Sequence, residues 1–154
     1  MADDRTVTKV GVRQLKLRIA NDLAELSRVA EGVEEFCAKL AIPAGNAFKL
    51  NVAIEELLTN TISYGYDDTG RHEIGIDIKR ERETIVVELS DDARPFDPLN
   101  APPPDLESAI EDRRIGGLGV HLVKTLMDDV AYAYRDGHNH ITLRKKIEAD
   151  SDDG

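Results

Sequence analysis

Residues 54–60 read IEELLTN, and the spacing within that heptad organises much of what surrounds it. Ile54, Leu57 and Leu58 stand at i, i+3 and i+4, one face of a helix. Glu56 and Asn60 stand four apart, so they project together from another face. Phe48, Leu50, Ala53 and Ile62 extend the apolar side, which predicts a helix from about Asn46 to Ser63. Upstream, Leu23, Leu26, Val29, Val33, Phe36 and Leu40 repeat the three-and-four spacing behind Asn21 or Asp22 as N-cap. Pro43 and Gly45 punctuate the two helices. Before them QLKLRIA, residues 14–20, alternates apolar and polar and reads as a first strand.

Downstream, GYDDTG at 65–70 is a turn. EIGIDIKR (73–80) and ETIVVELS (83–90) each alternate, as an antiparallel hairpin does. The stretch 93–115 is the least regular, and the three consecutive prolines in PLNAPPPDL forbid helix or sheet there. A loop of that length in a small domain is either disordered or functional. VHLVKTLMDDV (120–130) then predicts a third helix, and AYAYR and HITLRKKI a closing hairpin turned at Asp136-Gly137. The order predicts an α+β fold: a two-layer sandwich whose mixed, mostly antiparallel sheet is covered on one face by about three helices. The boundaries expected are an extension at 1–13, one domain at 14–147 and an acidic, solvated tail at 148–154.

Composition narrows the function classes. At 154 residues, 41% hydrophobic and 32% charged, the chain is long enough for one real core. Its net charge of -10 argues against nucleic acid and against an anionic membrane surface. The single cysteine, Cys37, excludes an internal disulfide framework and falls in a helical run, where packing explains it. No apolar run approaches a membrane span and the first residues lack a signal-peptide core, so the cytoplasm is the expected compartment.

Three segments carry chemistry, and each also has a plain structural explanation. An Asn oxygen such as that of Asn60 suits Mg²⁺, and a carboxylate one turn away, Glu56, can take a proton from an incoming hydroxyl; a polar helix edge would read the same. Asp91, ending a strand in SDDARPFDP (90–98), can accept from the exocyclic amine of adenine, or merely stop the strand. Gly116, Gly117 and Gly119 precede a helix, where bare backbone N–H groups approach an anion; they would equally make a hinge. No Gly-Lys-Ser/Thr follows them, so this is not a Walker A loop. Arg113 and Arg114 lie just upstream. Together, in this order, the segments read as a compact ATP site.

These segments resemble the GHKL ATPase superfamily, and within it the small anti-sigma-factor serine kinases of bacterial partner-switching systems. EELLTN (55–60) is similar to the N-box, SDDARPFDP to the first glycine box, GGLGVHLVKTLMDDV (116–130) to the second, and DGHNHITLRKKI (136–147) to the closing strand. The resemblance implies Glu56 as general base toward a protein serine and Asn60 as the Mg²⁺ ligand. It implies Asp91 as adenine reader supported by Thr142, Gly117 and Gly119 at the phosphates, and an ATP lid over Leu99–Ile115. It implies partners too: a sigma factor, a STAS-domain anti-anti-sigma protein and a second copy in a homodimer. With thirteen residues before the first strand, a histidine phospho-acceptor hairpin is not expected.

One position departs from the pattern. Ala93 stands where the family has glycine, which costs binding if that backbone needs positive φ and is tolerable otherwise. The competing readings are a binding module with nucleotide as a structural ligand at most, and an ATP-binding piece of an assembly that does not act on a sigma factor.

Overall fold

Parity along the strands decides which side of the sheet is covered. The computed structural model describes residues 7–11, 13–100 and 117–149. In chain order they form β1 (Val7–Gly11), β2 (Gln14–Ala20), α1 (Leu26–Lys39), α2 (Ala44–Tyr64), β3 (Glu73–Glu81), β4 (Thr84–Asp91), α3 (Gly117–Leu126), β5 (Asp129–Arg135) and β6 (His138–Lys146). The six strands lie in the order β1-β2-β3-β4-β6-β5. On one face Ile74, Ile76 and Ile78 of β3 and Ile85, Val87 and Leu89 of β4 are buried against the helices. On the other, Lys16, Asp77, Glu88, Thr142 and Arg144 stand in polar rows. Each apolar side chain withdrawn from water contributes about 1.5–3 kcal/mol, so the register is fixed by its buried face.

Connectivity explains why the pairings are antiparallel. Two helices separate β2 from β3, returning the chain to the end it left, and β3 runs back beside β2. β4 and β5 both pair antiparallel with β6, so those two strands point the same way. β6 inserts between them, antiparallel to both. No parallel neighbours result among the described strands, although the alternation of elements suggested a mixed sheet.

Local chemistry sets the helix ends. Asp22 accepts from the Ala24 N–H at 2.9 Å and caps a 3₁₀ turn, Leu23–Glu25, that leads into α1. α1 closes at Ala41, an alanine held at φ 56 while the Ile42 N–H bonds the Cys37 carbonyl at 2.8 Å. α2 begins at Ala44, immediately after Pro43, so Asn46 lies inside its first turn. Its buried amide donates to the Pro43 and Glu148 carbonyls at 3.0 and 2.7 Å and accepts from the Glu148 N–H at 2.9 Å.

Three boundaries differ from the sequence reading. A strand, β1, lies within the stretch read as an extension, because Val7–Gly11 pairs with β2. The third helix stops at Leu126 instead of running to Val130. Asp129-Val130 is drawn into β5 by pairing with Arg144 and Leu143. Packing also continues through Glu148, whose carboxylate meets Lys145 and Lys49, both at 3.1 Å. Residues 150–154 of the acidic tail and most of the lid stretch fall outside the described residues.

Candidate functional site

A cavity of about 340 Å³ opens where the last turns of α2 pass the end of β4 and the start of β6. α2 contributes Leu57, Asn60 and Tyr64, the sheet contributes Asp91, Asn139 and Ile141, and residues 93–96 form the outer wall. Gly65 lets this wall close onto α2. A Cβ there would stand 2.6 Å from the Thr61 carbonyl oxygen and 2.9 Å from the Ala93 methyl. The Gly65 carbonyl in turn accepts from the Arg94 N–H at 2.9 Å.

Asp91 lies at the cavity's floor, only 4% exposed. Burial pushes its carboxyl above the usual carboxylate range, while hydrogen bonds from Asn139 and the Ala93 backbone pull the other way. Both bonds end on one oxygen, Oδ1, from Ala93 N–H at 3.0 Å and Asn139 Nδ2 at 2.9 Å. No described residue bonds Oδ2, which keeps its lone pairs for a ligand donor. Ala93 does not have a positive φ. The backbone strain that alanine would bring to a left-handed position is therefore absent, and one methyl is what it adds to the wall.

Asn139 is the side chain that sequence reasoning missed. Its Nδ2 also donates to the Ala93 and Arg94 carbonyls at 3.2 and 2.9 Å. Its Oδ1 accepts from the Phe96 N–H at 3.1 Å and from the Tyr132 hydroxyl. One buried amide thus fixes Asp91 and pins the loop that walls the cavity. The signal was present in the sequence: Asn139, Ile141 and Leu143 share the inward parity of β6. Thr142 does not, and its expected role is corrected accordingly. It pairs with Glu88 on the sheet face opposite the helices, so it cannot support Asp91.

Asn60 reaches the cavity, and its Nδ2 is buried without a hydrogen-bond partner among the described residues. An orphaned buried amide costs about 1–3 kcal/mol unless a ligand completes it, and an oxygen-bearing anion with a hard cation is a group these donor and acceptor atoms would fit. Glu56 sits one turn earlier, half-buried, and lines a neighbouring cleft between α1 and α2 instead of this cavity. Gly117 and Gly119 open α3, which packs on α2, with Val123 and, just past its end, Met127 in the core. Lys124 on α3 donates to the Leu99 carbonyl at 3.2 Å, tying the near end of the lid stretch to this helix. Gly116, Arg113 and Arg114 lie outside the described residues.

A second network braces the cavity from behind. The His72 ring stacks on Tyr66 with centroids 4.2 Å apart. Its Nε2 meets Asp68 at 2.9 Å and its Nδ1 meets Asp92 at 3.1 Å. A carboxylate on each nitrogen is satisfied only by the doubly protonated ring, and the two carboxylates raise the His72 pKa. This bracket joins the loop after α2 to the residue following Asp91.

An open antiparallel sheet backed by helices, with an acid-floored pocket at the end of the second helix, defines a nucleotide-binding domain of the ATPase kind. The chain belongs to the histidine kinase-like ATPase domain family, whose model matches residues 19–145. Over 96 residues it is 29% identical to the serine/threonine-protein kinase BtrW of Bordetella bronchiseptica, covering 62% of this chain and 68% of that protein. Over 92 residues it is 33% identical to the serine-protein kinase RsbW of Listeria monocytogenes, covering 57% of this chain and 59% of that protein. The match thus spans little more than half of that RsbW. Among solved structures, the RsbU and RsbW domains of Rv1364c from Mycobacterium tuberculosis superpose with a TM-score of 0.58 at 15% identity, covering 87% of this chain and 33% of that one. That likeness is one of fold.

Proposed function

We propose that the chain is an ATP-dependent serine/threonine protein kinase and anti-sigma factor, one that binds a sigma factor and phosphorylates a STAS-domain antagonist. The observation that carries this reading is the pairing of an anchored carboxylate, Asp91, with an unpartnered buried amide, Asn60, around one cavity. The serine-protein kinases among its relatives support it.

Asp91 Oδ2 accepts from the exocyclic amine of adenine, a donor guanine does not present at that edge. Asn139 holds the carboxylate in place while this happens. Asn60 would hold Mg²⁺, which when bound would supply neutralisation of charge on the phosphates. The N–H groups at Gly117 and Gly119, opening α3, add donors and a favourable dipole toward phosphate. Glu56 takes the proton of the acceptor hydroxyl. The serine oxygen bonds the γ-phosphorus as the bond from that phosphorus to the β,γ-bridging oxygen breaks, and ADP leaves with the electron pair.

Ala93 and the proline-rich stretch motivate an inactive binding module as the competing reading; Ala93 is not at positive φ, so backbone strain adds nothing to that case. No helix among the described residues is long and apolar enough to cross a membrane. A cytoplasmic homodimer completes the reading, with sedimentation velocity as its check.

The test is transfer from γ-labelled ATP and Mg²⁺ into native extract, with Glu56→Gln alongside. A phosphoserine on a small acceptor, lost in the variant, is the expected result. Equal labelling by both proteins removes Glu56 as base, and no labelling by either removes the kinase.

A further inference from the structure

The cleft between α1 and α2, about 520 Å³, is separate from the nucleotide cavity. Its walls are largely apolar, with Ala38 and Ile42 facing Phe48 and Val52. Phe48 is 70% exposed, a large ring turned away from a core that the same helix fills with Leu50, Ile54 and Leu57. Three carboxylates, Glu34, Glu55 and Glu56, line the cleft, and no basic side chain among the described residues does.

Spacing along α2 connects this cleft to the chemistry. Phe48, Val52, Glu56 and Asn60 form one i, i+4 row. The first three line the cleft and the fourth lines the nucleotide cavity. Successive members stand about 6 Å apart along the axis, close to the span of two residues of extended chain. A hydroxyl presented to Glu56 would therefore place a side chain two positions away over Val52 and one about four away over Phe48.

We infer that this cleft seats the hydroxyl-bearing segment of the protein substrate, an extended stretch with apolar side chains against Phe48 and Val52 and a cationic one toward Glu34 and Glu55. The inference rests on the kinase reading and deepens it. Charge selects this occupant over a second copy. The chain carries -10, and a two-fold contact through this face would set carboxylates against carboxylates.

The probe is the acceptor labelled by the wild-type chain in native extract, purified and returned as substrate. Phe48→Ala and Glu34→Lys change exposed residues, so their melting curves should overlay the wild type. Each should raise KM for the acceptor roughly tenfold while kcat and the KM for ATP hold. Raised salt should erase part of the Glu34→Lys difference. Acceptor affinity repeated on the Glu56→Gln background separates the groove from the base: weakening by Phe48→Ala there supports the groove even if Glu56→Gln still transfers phosphate. An unchanged acceptor KM in both variants overturns the groove. Loss of a wild-type dimer by either variant overturns it too, in favour of self-association. If the wild type labels nothing, kinase and occupant fall together.

Discussion

Replacing Asn139 by alanine cuts the amide that joins Asp91 to the cavity wall, and the structure sets the size of the effect. Five hydrogen bonds disappear: three from Nδ2, to Asp91, Ala93 and Arg94, and two into Oδ1, from Phe96 and Tyr132. The bonds to Arg94, Phe96 and the Tyr132 hydroxyl are only part-buried, so water can replace some of what they lose. The bonds to Asp91 and Ala93 are buried, and a buried partner left unsatisfied costs about 1–3 kcal/mol. Counting those two in full and discounting the rest gives about 2–6 kcal/mol, or a fall in Tm of roughly 5–20 °C. Asn139→Asp should be worse near neutral pH, because it sets a second carboxylate against Asp91 where the amide stood at 2.9 Å. Thermal melts of both variants from pH 5 to 8, with ATP affinity by calorimetry, check this. The alanine variant should bind ATP more weakly even at temperatures where it stays folded, because Asp91 is then held by the Ala93 N–H alone. The reasoning fails if Asn139→Ala melts within about 2 °C of wild type, or if Asn139→Asp is the milder change at neutral pH.

Two other outcomes follow from backbone and charge. Ala41→Gly should stabilise the fold by about 1 kcal/mol, since alanine at φ 56 bears the left-handed penalty that glycine escapes; an unchanged or lower midpoint in urea contradicts this. For His72 the linkage runs in one direction. Its pKa is raised above the ordinary 6.5, chiefly by the bond to Asp68 and then by Asp92, so its contribution is complete below 6.5 and fades as pH rises through the raised value. Asp68 is lowered from 3.8, chiefly by its bond to His72, so its share is present above 3.8 and is lost as pH falls through the lowered value. The gap in Tm between wild type and His72→Ala should therefore be widest between 3.8 and 6.5 and shrink as pH rises through the raised His72 value; a gap that grows steadily with pH refutes the bracket.

The helices and inner strands were legible because burial imposes a period. Leu50, Ile54 and Leu57, or Ile74, Ile76 and Ile78, announce one face each and admit few alternatives. β1 announced nothing, because an edge strand is held by backbone pairing with β2 and needs no apolar alternation to form. The end of α3 was misplaced for a related reason: LMDDV continues a helical pattern locally, and only pairing with Arg144 and Leu143, fourteen or so residues on, converts Asp129-Val130 to strand. In the site, Asn60 and Asp91 could be picked out because their chemistry belongs to one side chain at a time. The closing-strand support could not be assigned that way. Thr142 and Asn139 are both polar residues on β6, three positions apart, and an odd separation puts them on opposite faces. Counting parity from Ile141 and Leu143, both buried, places Asn139 beside Asp91 and Thr142 beside Glu88. What decides the role is therefore the register with β4, a property of two strands that neither motif contains.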